Sequence, residues 1–460
     1  MEDKNPYKLF GTGTAYEQVR AKNIETLPEC DAIYMWALIR HGTRFMTKVN
    51  NLPDEMTNLK NKILKNHEVH NKRGELCSKD LDSLKQWTYK WNKVMNGELT
   101  NQGKLDMSSL AKRLKQTFNQ LLSADKNKFF NYILDLEELT SVSFKFQNSL
   151  PIINLQNMKK SRFQIYLTIL QLRSSSFPRC KDSAVAFTNE LFGTEFSEIN
   201  MNNIAENNTL LRSFKNTPTR VHKEYMKFIE SKYIQEVIFE VSKRLGFETL
   251  LSYNTVHSLY KFCYFETAWD LESRSSFCAA FTPKHLKVLE YDSDMEHYYL
   301  YGYGNPENNI ASFLIEDLFM KMNDAKNKEN NDVATIYFAH SQTLLSLITK
   351  LGLHYDIQLL TKNNYESLIE NRKWRTSYID PFAANIIFIL YKCNTMYKIA
   401  VYENEHITMV LPLDIVKKLH QTDLPSPEIK VTISASDPKI LGSANLFTFI
   451  DGRKLMKNVI

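Results

Sequence analysis

Residues 32–39, AIYMWALI, form an unbroken apolar run that stops at Arg40. That is strand length, and apolar side chains at consecutive positions need cover on both faces. Such a strand belongs at the centre of a sheet with helices on either side, so the run predicts an α/β fold. TIYFA at 335–339 repeats the pattern before His340, and the SQTLLSLITKLGL that follows has leucines at helical spacing and a glycine near its end. ANIIFILYKC at 384–393 reads as a third strand, with KIAVYENEHI as its hairpin partner, and YLTILQL at 166–172 as another. Between 186 and 285 helical spacing dominates, as in TRVHKEYMKFIESKYIQEVIFEVSKRLGF. A chain of 460 residues suits more than one domain. We therefore expect an α/β domain of residues 1–185 and 286–460, a central mixed sheet flanked by helices. A mainly helical smaller domain is inserted at 186–285. Residues 131–165 have no consistent period and read as an unusual insertion.

Several function classes are excluded early. The net charge of +6, from 58 basic and 52 acidic residues, is too mild for a nucleic-acid partner; a local basic pocket for an anion fits better. The cysteines Cys30, Cys77, Cys180, Cys263, Cys278 and Cys393 form no CxxC pair, so a zinc site is not expected; nor is any other metal or a cofactor. No apolar stretch reaches the ~20 residues of a membrane span. The first residues, MEDKNPYKLFGTGTAYEQVR, lack a signal-peptide apolar core. Asn207-Asn208-Thr209 is an acceptor triplet for glycosylation.

Two buried strands end abruptly in histidine, at His41 and His340. Carboxyl ends of strands line the ligand crevice of open α/β sheets, so these side chains are expected to converge. The Arg40-His41-Gly42-Thr43-Arg44 turn suits phosphoryl transfer. A neutral imidazole attacks phosphorus to give a phosphohistidine. Flanking guanidinium groups neutralise the equatorial oxygens without a metal. A glycine lets the chain turn closely beneath the phosphate.

ALIRHGTRF resembles the signature of the histidine acid phosphatases, branch two of the histidine phosphatase superfamily. Further segments, in family order, resemble the multiple inositol polyphosphate phosphatases: FGTGTAYE at 10–17, LTNQGKLDM at 99–107, SSFPRCKDSAVAF at 175–187, VLEYDSDMEHYYLYGYGN and FAHSQTLLSLITKLGL. The similarity runs from about residue 7 to about 415. It implies a phosphoglycerate mutase-like large domain. It implies His41 as nucleophile, Arg40, Arg44 and Arg179 as phosphate clamp, and His340 as a second contact to the transferred group. The implied substrates are inositol polyphosphates, with 2,3-bisphosphoglycerate as a further class. It also implies Cys30–Cys393 and Cys263–Cys278 disulfides, the latter contributing about 3 kcal/mol for a loop of its size. The implied setting is the secretory pathway (ER lumen or extracellular), with a leader not included in this sequence. Free buried thiols are the alternative for the cysteines.

The resemblance breaks at one place. The family motif is His-Ala-Glu-Thr, with His-Asp in other members; this chain has His340-Ser341-Gln342-Thr343. Gln342 stands where the proton donor is expected, and an amide donates a hydrogen bond but releases no proton to an alkoxide. General acid catalysis is worth about 10²–10⁴-fold. The expectation is a metal-independent acid phosphomonoesterase weakened by Gln342, with Asp292 and Asp294 as candidate substitute acids. The alternative is a catalytically impaired protein that binds inositol polyphosphates. A phosphate mutase shares the Arg-His-Gly tripeptide but fits the length and the ordered motifs less well. Met46 replaces a proline common after the turn, a local backbone change.

Overall fold

The computed structural model describes residues 5–47, 52–69, 73–89, 95–122, 169–193, 205–206, 219–305, 311–329 and 332–413. The 131–165 stretch and the Asn207 triplet lie outside these residues.

A seven-stranded mixed sheet forms the centre, in the order β3-β2-β4-β1-β5-β6-β7. The strands are β1 (Asp31–Arg40), β2 (Ile169–Ser174), β3 (Ala205–Glu206), β4 (Asp332–Ala339), β5 (Asn385–Cys393), β6 (Met396–Glu403) and β7 (His406–Pro412). β1 runs parallel to β4, with Arg40 opposite Ala339, and antiparallel to β5. The unbroken apolar run of β1 has the reason expected of it. Tyr34, Trp36 and Leu38 enter one core cluster, and Met35, Ala37 and Ile39 enter the other.

Helices cover both faces. α3 (Asn101–Thr117) and α5 (Pro178–Phe192), with the short α4 (Asn119–Leu122), pack on the Met35 side through Met107, Leu110, Leu114, Phe187 and Leu191. α10 (Ser312–Asn327) and α11 (Ser341–Lys350) pack on the Trp36 side through Leu314, Leu318, Leu344 and Leu347. Full burial of one such side chain contributes about 1.5–3 kcal/mol. The same cluster takes in α1 (Leu52–Val69), α2 (Ser78–Gln86), α6 (Thr219–Ile229), α7 (Lys232–Arg244), α8 (Tyr253–Trp269) and α9 (Pro283–Tyr301). Two short helices follow, α12 (Tyr365–Leu368) and α13 (Thr376–Ile379). The starts are written locally: Ser252 caps α8 by accepting from Thr255 N, and Thr282 with His285 forms a reciprocal capping box on α9 ahead of Pro283. No helix among the described residues is long and apolar enough to cross a membrane.

The KIAVYE of KIAVYENEHI is the antiparallel hairpin partner of β5 that the sequence predicts, and the segment runs on past it. The whole segment contains the end of β6, a tight turn and the start of β7, which pairs back on β6. Asn404 and Glu405 take positive φ, 49° and 70°, as a two-residue hairpin turn requires. A glutamate there is held by its carboxylate. Arg113 donates Nε and Nη2 to it at 2.7 Å each, and the Tyr16 hydroxyl donates at 2.7 Å.

Cys30 and Cys393 are joined across the antiparallel β1–β5 pair, with Cα atoms 4.4 Å apart. Cys263 of α8 is joined to Cys278, with Cα atoms 4.6 Å apart. Cys77 is an exposed and Cys180 a buried free thiol.

Candidate active site

Parallel pairing of β1 and β4 brings both histidine turns to one sheet end. His41 N donates to Ala339 O at 3.0 Å, and the His41 and His340 rings lie 5.6 Å apart, edge to face. Both residues are buried.

His41 has its tautomer fixed. Nδ1 lies 2.9 Å from the Gly42 carbonyl, which only accepts, so Nδ1 carries the hydrogen and Nε2 keeps its lone pair. Burial holds the imidazole well below its usual pKa, and the positive field of Arg40, Arg179 and Arg44 adds to the effect. The ring is neutral, the form in which nitrogen is a nucleophile.

His340 lies against the second arginine motif. Its Nε2 is 3.0 Å from Ser175 Oγ, and its Nδ1 is 3.2 Å from Arg179 Nη2. Guanidinium nitrogen only donates, so Nδ1 accepts and Nε2 carries the hydrogen. Phe177 meets the ring edge to face at 5.0 Å and also lies beneath the Arg179 guanidinium at 4.7 Å.

Three arginines supply the charge. Arg40 is buried, its Nη1 donating to Thr12 O at 2.7 Å and Asp380 O at 2.6 Å, with its guanidinium over the Phe382 ring at 4.8 Å. Its Nε finds no hydrogen-bond partner among the described residues. Arg44 stacks over Phe265 at 5.4 Å. Burial, with Arg40 and Arg179 nearby, pushes the Arg44 guanidinium down to about 10. Such mutual repulsion is relieved by a dianion between the groups. α5 and α11 both begin here, Arg179 in the first turn of one and Ser341 at the start of the other. Their positive ends favour an anion further.

The other sequence motifs turn out to hold the Arg40–Arg44 turn in shape. Thr43 donates its N and Oγ1 to Asp106 Oδ2 at 3.0 and 2.7 Å, and its carbonyl accepts from Thr100 N and Oγ1 at 2.9 Å each. Gly42 N donates to Ser183 Oγ at 3.1 Å. A Cβ on Gly42 would overlap the Gly103 backbone carbonyl, and one on Gly103 would overlap the Thr43 carbonyl. Gly42 is thus required by backbone packing against α3 rather than by a turn under the phosphate. Gly42→Ala is expected to cost about 2–3 kcal/mol of overpacking and to abolish phosphate binding; urea unfolding with phosphate titration checks this. FGTGTAYE buttresses Arg40: Thr12 supplies a carbonyl, and Gly11 N donates to Ser377 Oγ at 2.8 Å.

Gln342 lies in the first turn of α11, its Nε2 donating to the Tyr301 hydroxyl at 3.0 Å. The substitute acids expected from sequence are engaged elsewhere. Asp294 accepts from Thr376 N and Oγ1 at 2.7 and 2.6 Å and from Arg372 Nε at 2.8 Å. Asp292 accepts from the Tyr253 hydroxyl at 2.6 Å, and burial pushes its carboxyl up to about 7. Neither bonds to a histidine or arginine of the site among the described residues. Among the described residues, Asp380 brings a carboxyl group to an arginine of the site: it pairs with Arg40 at 3.6 Å and accepts from Ser341 Oγ. Met46 is buried in the core, its carbonyl accepting from Gly97 N at 2.9 Å.

Residues 157–410, more than half of the chain, match the Histidine phosphatase superfamily (branch 2). The chain is 30% identical over 405 residues to Multiple inositol polyphosphate phosphatase 1 of Drosophila melanogaster, covering 84% of this chain and 77% of that protein. Its fold is shared with the Bifidobacterium longum multiple inositol polyphosphate phosphatase solved with inositol hexasulfate, at a TM-score of 0.60 and 13% identity over 93% of this chain and 100% of that one. It is shared also with the phytase from D. castellii, at a TM-score of 0.62 and 14% identity over 91% of this chain and 85% of that one. The chain belongs to branch 2 of the histidine phosphatase superfamily; it is a histidine acid phosphatase, homologous to multiple inositol polyphosphate phosphatases and phytases.

Proposed function

We propose that this branch 2 histidine phosphatase hydrolyses inositol polyphosphates through a phosphohistidine on His41, without a metal ion, and that it does so slowly where the leaving group is a poor one. The observation that carries the reading is the neutral His41, its Nε2 lone pair free, set among Arg40, Arg44, Arg179 and His340. Nε2 attacks phosphorus as the P–O bond to the leaving oxygen breaks. The arginines hold the equatorial oxygens and neutralise their charge, and the neutral His340 adds a hydrogen-bond donor, its Nε2–H, beside them. Water then attacks the phosphohistidine and restores the imidazole.

Clustered cations favour a substrate with several phosphates, and the Bifidobacterium longum homologue was solved with inositol hexasulfate, a polyanion of the same shape. 2,3-Bisphosphoglycerate meets the same requirement. Gln342 limits the reaction: its amide holds Tyr301 and releases no proton, so an inositol alkoxide departs less readily than with a carboxylic acid there. The Cys30–Cys393 and Cys263–Cys278 bonds favour an oxidising compartment, as in the secretory pathway. The test is phosphate release from inositol hexakisphosphate and from p-nitrophenyl phosphate at acid pH. Release from both, disproportionately faster from the aryl ester, is expected; a folded protein releasing phosphate from neither refutes the reading.

A further inference from the structure

An inositol oxygen needs a proton as it leaves, and Gln342 has none to give. Asp380 is fully buried, and its carboxyl group bridges the two halves of the site. Oδ1 lies 3.6 Å from Arg40 Nη1 without a hydrogen bond among the described residues, and Oδ2 is hydrogen-bonded to Ser341 Oγ. Ser341 is next in the chain to His340.

The carboxyl group is rigidly placed. Asp380 N donates to Thr376 O at 2.9 Å, and Thr376 is itself fastened to Asp294, which Arg372 holds. Beyond Asp380, Phe382 N donates to Thr14 O at 3.0 Å and Ala383 N to His41 O at 3.1 Å, so the segment wraps the nucleophile's backbone. A stabilising countercharge for Arg40 needs no second link to Ser341; a proton store does.

Resting on the phosphatase reading, we infer that Asp380 is the proton reservoir for the leaving group and that Ser341 carries the proton. As the bond from His41 Nε2 to phosphorus forms and the P–O bond breaks, the Ser341 hydroxyl gives its proton to the leaving oxygen. It takes the Asp380 carboxyl proton in the same step. In the second half, water attacking the phosphohistidine loses a proton to Ser341, whose own proton returns to the Asp380 carboxylate. The Ser341–Asp380 hydrogen bond serves either direction, since the protonated carboxyl donates and the carboxylate accepts.

Burial raises the Asp380 pKa, opposed by Arg40, the Ser341 hydrogen bond and His297. Among the described residues, the charges that act on it come from Arg40 of β1 and His297 of α9. Ser341 from α11 is neutral, and the Gly11–Gly13 turn packed on α13 presents no titratable side chain. The group must be protonated for the first step. Phosphohistidine formation from an alkyl phosphate is therefore full at low pH and falls as pH rises through the raised Asp380 pKa.

The test is rapid-quench measurement of phosphohistidine formation by wild type, Asp380→Asn and Ser341→Ala, with inositol hexakisphosphate and p-nitrophenyl phosphate. Ser341→Ala leaves the Arg40–Asp380 pair intact. With the inositol substrate both variants are expected to fall about 10²-fold, and Asp380→Asn to lose the alkaline limb of its pH profile. With the aryl phosphate, whose phenolate departs without a proton, the fall is much smaller. Equal falls on both substrates would mean that Asp380 only positions Arg40, and an unchanged inositol rate would remove it from the reaction; either overturns the inference. Absence of phosphohistidine in wild type with both substrates would overturn the phosphatase reading, and this inference with it.

Discussion

His41→Ala is expected to lower phosphate release from every substrate by about 10⁴-fold or more, as loss of the nucleophile does in enzymes whose groups act as a unit. The reason is specific to the geometry. Nδ1 is committed to the Gly42 carbonyl, and Nε2 is the atom that keeps a free lone pair, in a ring 5.6 Å from that of His340. The three arginines do not depend on the imidazole for their placement: Arg40 rests on Thr12 and Asp380, Arg44 on Phe265, and Arg179 on Phe177. Inorganic phosphate should still bind to the variant. Parallel assays of phosphate release and calorimetric phosphate titration check both halves. Substantial turnover by a folded His41→Ala protein would assign the chemistry to another group.

Gln342→Glu is expected to work in the opposite direction. It places an ionisable oxygen in the first turn of α11, beside the Tyr301 hydroxyl. Turnover of inositol hexakisphosphate should rise about 10-fold or more, toward the lower end of what general acid catalysis provides, because the Ser341–Asp380 pair already supplies a proton. The gain requires that the introduced carboxyl be protonated. It is present at low pH and fades as pH rises through the pKa of that carboxyl, and it should be nearly absent with p-nitrophenyl phosphate. Steady-state kinetics with both substrates across pH 3–7 decide it. No gain with the inositol substrate would mean that proton supply does not limit the reaction.

Much of this was legible in the sequence, for physical reasons that differ by element. β1, β4 and β5 announce themselves because a strand covered on both faces has nowhere to put a polar side chain. His41 and His340 follow from them, since a polar residue that ends such a run lies at the sheet end. The remaining motifs were recognisable as text but not as mechanics. Nothing local says that Gly103 packs on Gly42, that Asp106 holds Thr43, or that Tyr16 reaches Glu405.

Asp380 was not legible at all. In SYIDPFAAN it reads as an ordinary aspartate before a proline. Its partners Arg40 and Ser341 are distant in the chain, and no periodicity marks such a contact. Asp292 and Asp294 drew attention because they stand in a recognisable segment, yet on α9 their carboxylates are occupied by Tyr253, Thr376 and Arg372. KIAVYENEHI holds the partner strand of β5 as expected, but the turn at its end is hidden because Arg113 and Tyr16, from far along the chain, hold it rather than glycine.

The central claim, phosphoryl transfer through His41, is tested most directly by trapping. The wild-type protein is mixed with an aryl phosphate, quenched in alkali, where phosphohistidine survives, and mapped by mass spectrometry. The account predicts a phosphoryl group on His41 that forms and decays at rates compatible with turnover. Phosphate release with no modified His41, or with the group on another residue, would contradict it.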